Sequence, residues 1–238
     1  MKKLILSIFI LGLGVLGTVS MQAADVATSQ KNQKGLAELE RVADFLKKNM
    51  MGRTLVDEFH DTIAQGTIYT DFVSRFTYHG LERTELGLKY TGTFVIEQTL
   101  WDIDKDGKKI GEERSKNRTI SSVSEITINR ATQALMGYSH GLSNTIVDPT
   151  GRHASAIRSV KIVGDKLEQQ REGINYGACF GVNKTTTPCT SSSAVSYGIE
   201  NGKLVKTSTS TSYVVDPETF KKTKYEKDAV RTVIVKER

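Results

Sequence analysis

From Gly52 onward, apolar side chains return at every second residue, and no helical period intervenes between one such run and the next. Ile68, Phe72, Phe76 and Tyr78 share one face of an extended run, with Asp71, Arg75 and His79 on the other. Tyr90, Phe94, Ile96 and Leu100 share a face of the next run, and Ile120, Ile126 and Ile128 alternate with Glu125 and Thr127. Ile157 with Val163, and Val160 with Ile162, mark a strand whose two faces are mixed. Val195, Tyr197 and Ile199 lead through Asn201-Gly202 into Leu204 to Val215, and Val230 to Val235 forms the last run. Asn-Gly between two such runs is the dipeptide of a two-residue hairpin. Gly164-Asp165, Asp106-Gly107 and Asp216-Pro217-Glu218 break the chain in similar fashion. Parallel strands need long crossovers, usually helical, so successive runs joined by tight turns predict antiparallel pairing. About nine or ten such strands must remove or protect their edges, which an up-and-down barrel or a sandwich does. The chain of hairpins favours the barrel.

One helix precedes the strands. Leu36, Leu39, Ala43, Leu46 and Met50 recur at steps of three and four, with Glu38, Glu40, Arg41, Asp44 and Lys47 between them, and Gly52 ends the pattern. A helix from about Leu36 to Met50 with one apolar face is expected to pack on the barrel or plug it. The layout resembles that of the lipocalin-like barrels. Those carry Gly-x-Trp on the first strand, whereas here that strand begins Gly52-Arg53-Thr54 and the lone Trp101 falls two strands later. The resemblance therefore concerns layout, and no residue role is carried over.

The N-terminus reads as an export signal. Lys2 and Lys3 precede an apolar stretch from Leu4 to Leu16, and Ala23-Ala24 follow small and polar residues. The apolar stretch is too short to span a bilayer comfortably. The expected organisation is a signal peptide at 1–23, a flexible segment at 24–35, and one domain from 36 to 238. The expected location is the bacterial periplasm or beyond. Loss of Lys2 and Lys3 leaves 31 basic against 27 acidic side chains, a mature charge of +4, too mild to indicate nucleic acid. Cys179 and Cys189 are the two cysteines, with nine residues between them. In an oxidising compartment they are expected to pair, closing a loop worth roughly 3 kcal/mol. A membrane-spanning barrel is not expected, because Lys206, Ser208, Ser210 and Ser212 alternate with Thr207, Thr209 and Thr211, and neither face suits lipid.

Three motifs carry chemistry by type. Gly137-Tyr138-Ser139-His140-Gly141 fits the Gly-x-Ser-x-Gly nucleophile elbow, but Leu142 to Val147 is too short and too β-branched for the helix that must follow. Asp102, Asp104, Asp106, Gly107 and Glu113 fit the spacing of a calcium loop, which asks for hard oxygen donors on alternate residues and a late glutamate. Lys109 stands where that loop is usually apolar, and the flanks are strands, so the segment reads first as an Asp-Gly hairpin tip and second as a calcium site. Calcium is the one cofactor the sequence raises. His60, His79, His140 and His153 show no metal spacing. The basic segment Lys221 to Lys227 reads as strand-edge protection, or as a contact for anionic envelope surfaces.

With no catalytic set in view, the leading expectation is an exported, non-enzymatic binding protein whose barrel holds a small apolar or amphipathic ligand. Phe72, Phe76, Tyr78, Tyr90, Phe94 and Ile96 are its candidate lining residues. The alternative is a cell-envelope structural or protein-interaction module with a filled barrel, and a third is a serine hydrolase acting through Ser139. A cavity of a few hundred cubic ångströms separates the first reading from the second.

Overall fold

The computed structural model describes residues 33–63, 67–143, 153–175, 189–216, 218–224 and 230–238. A helix, α1, covers residues 33–49. Twelve strands follow: β1 (Thr54–Ile63), β2 (Ile68–Thr84), β3 (Gly87–Ile103), β4 (Lys109–Ser115), β5 (Arg118–Ile128), β6 (Leu135–Ser143), β7 (His153–Val163), β8 (Lys166–Asn175), β9 (Cys189–Glu200), β10 (Lys203–Val215), β11 (Lys222–Lys224) and β12 (Arg231–Glu237). Each pairs antiparallel with its neighbour, and ten of them form a closed barrel. The short strands β4 and β11 lie off the ring, on the far ends of β3 and β10. Closure comes from β12 against β1, where Leu55 faces Glu237 and Val56 faces Lys236. The barrel reading is therefore correct and the sandwich is not.

The turns follow from their residues. Asn201 and Gly202 have φ of 52° and 78°, the two positive values a two-residue I′ hairpin requires. Gly164, at φ 59°, turns β7 into β8. Asp216 accepts hydrogen bonds from the amides of Glu218 (3.0 Å) and Thr219 (2.7 Å), a side chain closing its own turn. The mixed faces of β7 have a cause: the register shifts between Ile157 and Ser159, so Ile157 and Val160 both enter the core three residues apart.

The core lies at one end of the barrel. Leu39, Val42, Phe45, Leu46 and Met50 of α1 and its C-terminal turn are buried in one cluster with Leu88, Ile126, Ile128, Leu135, Ile157, Val160, Leu167 and Leu204. These barrel residues sit beside the β2–β3, β5–β6, β7–β8 and β9–β10 turns, so α1 plugs that end. Polar contacts fix its seat. Glu38 Oε1 accepts the Ile162 amide at 2.7 Å, and Arg83 Nη2 donates to Glu40 Oε1 at 2.6 Å. The helix ends at Gly52, whose φ of 75° lets the chain turn straight into β1.

The outer wall is polar. Ion pairs cross it at Arg75–Glu97 (2.9 Å), Lys161–Glu168 (3.2 Å) and Arg158–Glu172 (2.6 Å), and Lys222 of the basic segment also pairs with Glu172 (2.7 Å). No helix among the described residues is long and apolar enough to cross a membrane.

Candidate functional site: two adjoining cavities inside the barrel

Period two places alternate residues of every strand inside the barrel, and their size changes along the axis. On β8 the inward series from the plugged end is Leu167, Gln169, Arg171, Gly173; on β9 it is Tyr197, Val195, Ser193, Ser191. On β10 it is Leu204, Lys206, Ser208, Ser210, Ser212. Large apolar groups thus give way to polar ones and then to small ones. Cross-strand register sets Ser124, Ser139, Ser155, Gly173 and Ser191 side by side on β5 to β9. The opposite wall is aromatic: Phe59 stacks on Phe72 at 4.7 Å, and Phe76 lies 4.2 Å from Phe94 and 4.5 Å from Tyr78.

A belt of serine and glycine facing a wall of phenylalanine cannot fill the barrel, and space remains. An inner cavity of about 120 Å³ is lined from nine of the ten ring strands, including Asp57, Ser74, Tyr90, Ser124, Tyr197 and Lys206. An outer cavity of about 400 Å³ is lined by Phe72, Ile96, Arg118, Ile120, Ser155 and Ser191, among others. Phe94, Ser122, Ser139 and Arg171 belong to both linings, so the two spaces adjoin. The described residues leave both of these spaces between the walls.

At the junction stands a polar cluster. Arg171 Nε and Nη2 donate to Gln169 Oε1 at 2.8 and 2.5 Å, and Nη2 lies 3.4 Å from the Tyr90 hydroxyl. Gln169, only 1% exposed, also reaches Tyr90 from Nε2 at 3.4 Å. Burial, reinforced by Tyr197 and Tyr90, pushes the Tyr78 phenol well above its usual range. Burial also opposes ionisation of Tyr197, but the fields of Arg171 and Lys206 outweigh it and hold that phenol below its usual value. Burial likewise works against the Arg171 charge, and the phenols of Tyr197, Tyr90 and Tyr78 overcome it.

All six candidate lining residues sit on these walls: Phe76, Tyr78 and Tyr90 at the inner cavity, Phe72 and Ile96 at the outer, and Phe94 at both. Sequence reasoning missed Arg118, Arg171, Lys206, Tyr197 and the serine belt. The signal was present for the cations. Each lies in phase with an inward aliphatic residue: Arg171 with Leu167, Lys206 with Leu204, Arg118 with Ile120.

Of the remaining candidates, Ser139, His140 and Gly141 of the Gly-x-Ser-x-Gly motif line the outer cavity, and the acidic hairpin stands apart from both cavities. Ser139 lies in the middle of β6, where its Oγ accepts a hydrogen bond from Ser124 Oγ at 2.9 Å, and no strand-to-helix turn is formed there. Asp102 is paired with Arg114 at 2.6 Å, and Asp104 Oδ1 accepts the amides of Asp106 (3.0 Å) and Lys108 (2.9 Å), as a hairpin-tip aspartate does. Glu113 is exposed on β4. Among the described residues no group of three or more His, Cys, Asp or Glu is gathered to hold a metal, so Asp102, Asp104, Asp106 and Glu113 are not brought together as a calcium cage. Cys179 lies outside the described residues, as does the chain before residue 33. Cys189 opens β9, where it pairs with Asn175 of β8. Comparison with known protein families, curated proteins and solved structures finds no match.

Proposed function

We propose that this is an exported, non-enzymatic binding protein that carries a small amphipathic molecule inside its barrel. One observation carries the reading: an interior space of about 400 Å³, lined from seven consecutive strands, in a barrel whose opposite end is plugged by a helix. Ligand pockets run from about 300 to 1,000 Å³, so the space is the right order for one small molecule. Core positions filled with serine and glycine cost apolar contact at every site, since interiors otherwise pack close to crystal density. A barrel serving only as a scaffold gains nothing from leaving them small. Export accords with the N-terminal signal pattern and with two cysteines spaced for a loop-closing disulfide.

Mass spectrometry of protein purified from its own host tests this directly. Under native conditions an adduct of a few hundred daltons is expected, lost on denaturation. Ser155→Phe, which fills the outer cavity, is expected to lose the adduct while remaining folded. The denatured, unreduced mass is expected to match a chain starting at Ala24 or Asp25 with Cys179 and Cys189 joined. No adduct in the wild type, together with no uptake of a polarity-sensitive fluorophore, defeats the carrier reading. Two free thiols defeat the export reading separately.

A further inference from the structure

The charge inside the barrel is unbalanced. Arg171 lines both cavities, Arg118 lines the outer and Lys206 the inner, whereas Asp57 is the one carboxylate among the described residues of either lining. None of the three cations enters an ion pair with a described residue. Buried charges are ordinarily paired, because an ion removed from water without a partner is costly. Both arginines also keep uncommitted donors among the described residues. Arg118 Nε is buried with no hydrogen-bond partner among the described residues. Arg171 commits Nε and Nη2 to Gln169 Oε1, Nη2 also reaches the Tyr90 hydroxyl, and Nη1 makes no hydrogen bond with a described residue. Gln169 and Tyr90 thereby hold the guanidinium on a wall that both cavities share, with Nη1 uncommitted among the described residues. An uncommitted guanidinium nitrogen on a charged group is a donor suited to a carboxylate or phosphate oxygen. One side of the outer cavity is apolar, walled by Phe72, Phe94, Ile96 and Ile120.

Resting on the carrier reading above, the geometry points to an anionic amphiphile as the ligand class. An oxyanion head, carboxylate or phosphate monoester, sits against Arg171 where the cavities meet, with Lys206 behind it and Arg118 to one side. The carbon chain lies along Phe72, Phe94, Ile96 and Ile120. The head supplies the counter-charge the wall lacks, and the serine belt supplies hydroxyl donors for its remaining oxygens. Size follows from volume. A cavity of 150 Å³ accepts benzene, so a space of this volume takes roughly 12 to 16 non-hydrogen atoms.

Four ligands of one chain length separate head from tail: decanoate, decyl phosphate, decan-1-ol and decylammonium, titrated calorimetrically at micromolar concentration into the delipidated mature protein. At least one anion is expected to bind about tenfold or more tightly than the alcohol, and the ammonium more weakly than the alcohol. Which anion wins identifies the head. In Arg171→Met the anion's advantage is expected to vanish while decan-1-ol keeps its Kd within about twofold, and Arg171→Lys is expected to recover part of the advantage. Circular dichroism checks that the variants fold, and the wild-type ranking stands as a test without them. Decan-1-ol binding as tightly as both anions, or decylammonium binding best, overturns the anionic assignment and leaves the carrier reading standing. Failure of all four to bind overturns both.

Discussion

Single residues decide what this barrel can hold, and also where its outer surface responds to pH. Inside, Arg171, Arg118 and Lys206 are the cations of the cavity walls. Their sequence neighbourhoods hide them. In Lys166 to Asn175 both faces of the strand carry polar residues, so alternation alone does not say which face is inward; only the phase of Leu167 does. The aromatic lining was legible for the opposite reason, because Phe72, Phe76 and Tyr78 recur in one phase while Asp71, Arg75 and His79 take the other. Outside, His60 on β1 meets Asp71 on β2 at 2.6 Å from Nδ1, with Glu58 at 3.6 Å from Nε2. The hydrogen bond to Asp71 comes first among the causes that raise the His60 pKa above 6.5. A raised value in the folded state means the protonated imidazole favours folding. That contribution is fully present below pH 6.5 and is lost as pH rises through the folded-state value. NMR titration of the histidine ring is expected to place His60 above 6.5 in the wild type and closer to it in Asp71→Asn. Equal midpoints in the two proteins would show that the pairing does not form.

At the scale of elements, α1 stabilises the barrel through a few fully buried side chains. Leu39, Val42, Leu46 and Met50 have no exposed area and meet residues from most of the strands around the plugged end. An isolated helix of this length is marginal in water, so its apolar stripe must be satisfied by the barrel, and the barrel end by the stripe. Leu46→Ala is expected to cost about 2–5 kcal/mol in denaturant unfolding, the range for a leucine removed from a tight core. A loss below about 1 kcal/mol would mean the helix is not seated in the barrel. The helix and its face were readable from the three-and-four spacing, and the Asn201-Gly202 and Gly164-Asp165 turns from their glycines. The bulges were not. A single extra residue between Ile157 and Ser159 reverses the inward phase with no residue type to announce it, so the strand read as having mixed faces. Gly137 shows the other kind of hidden constraint. A methyl group there would stand 1.8 Å from the Glu125 carbonyl oxygen, a close approach of β6 to β5 that no spacing predicts.

Across the whole molecule, the barrel exists only if its first and last strands meet, and that seam is short. Two residue pairs join β12 to β1, against ten joining β1 to β2. One carboxylate ties the seam together. Glu237 Oε2 accepts the Leu204 amide at 2.9 Å and Arg53 Nη1 at 2.6 Å, so a single side chain on β12 binds the start of β10 and the residue leading into β1. Arg53 in turn donates to the Gly202 carbonyl at 3.3 Å, closing the loop of contacts at the hairpin tip. The Leu204 amide, and then Arg53, hold Glu237 below its usual value of 4.5 against the opposing effect of burial. A lowered folded-state value means the ionised form favours folding. That stability is present above pH 4.5 and is lost as pH falls through the lower folded-state value. Glu237→Gln keeps the shape and removes the charge. It is expected to lower unfolding free energy by about 1 kcal/mol at pH 7, discounted for partial exposure of both partners. The difference from wild type should shrink steadily below pH 4.5, because acid removes the same charge from the wild type. Urea unfolding of both proteins from pH 7 to pH 3 measures it. A difference that is absent at pH 7, or that stays constant down to pH 3, would mean the seam is held by its backbone pairs alone.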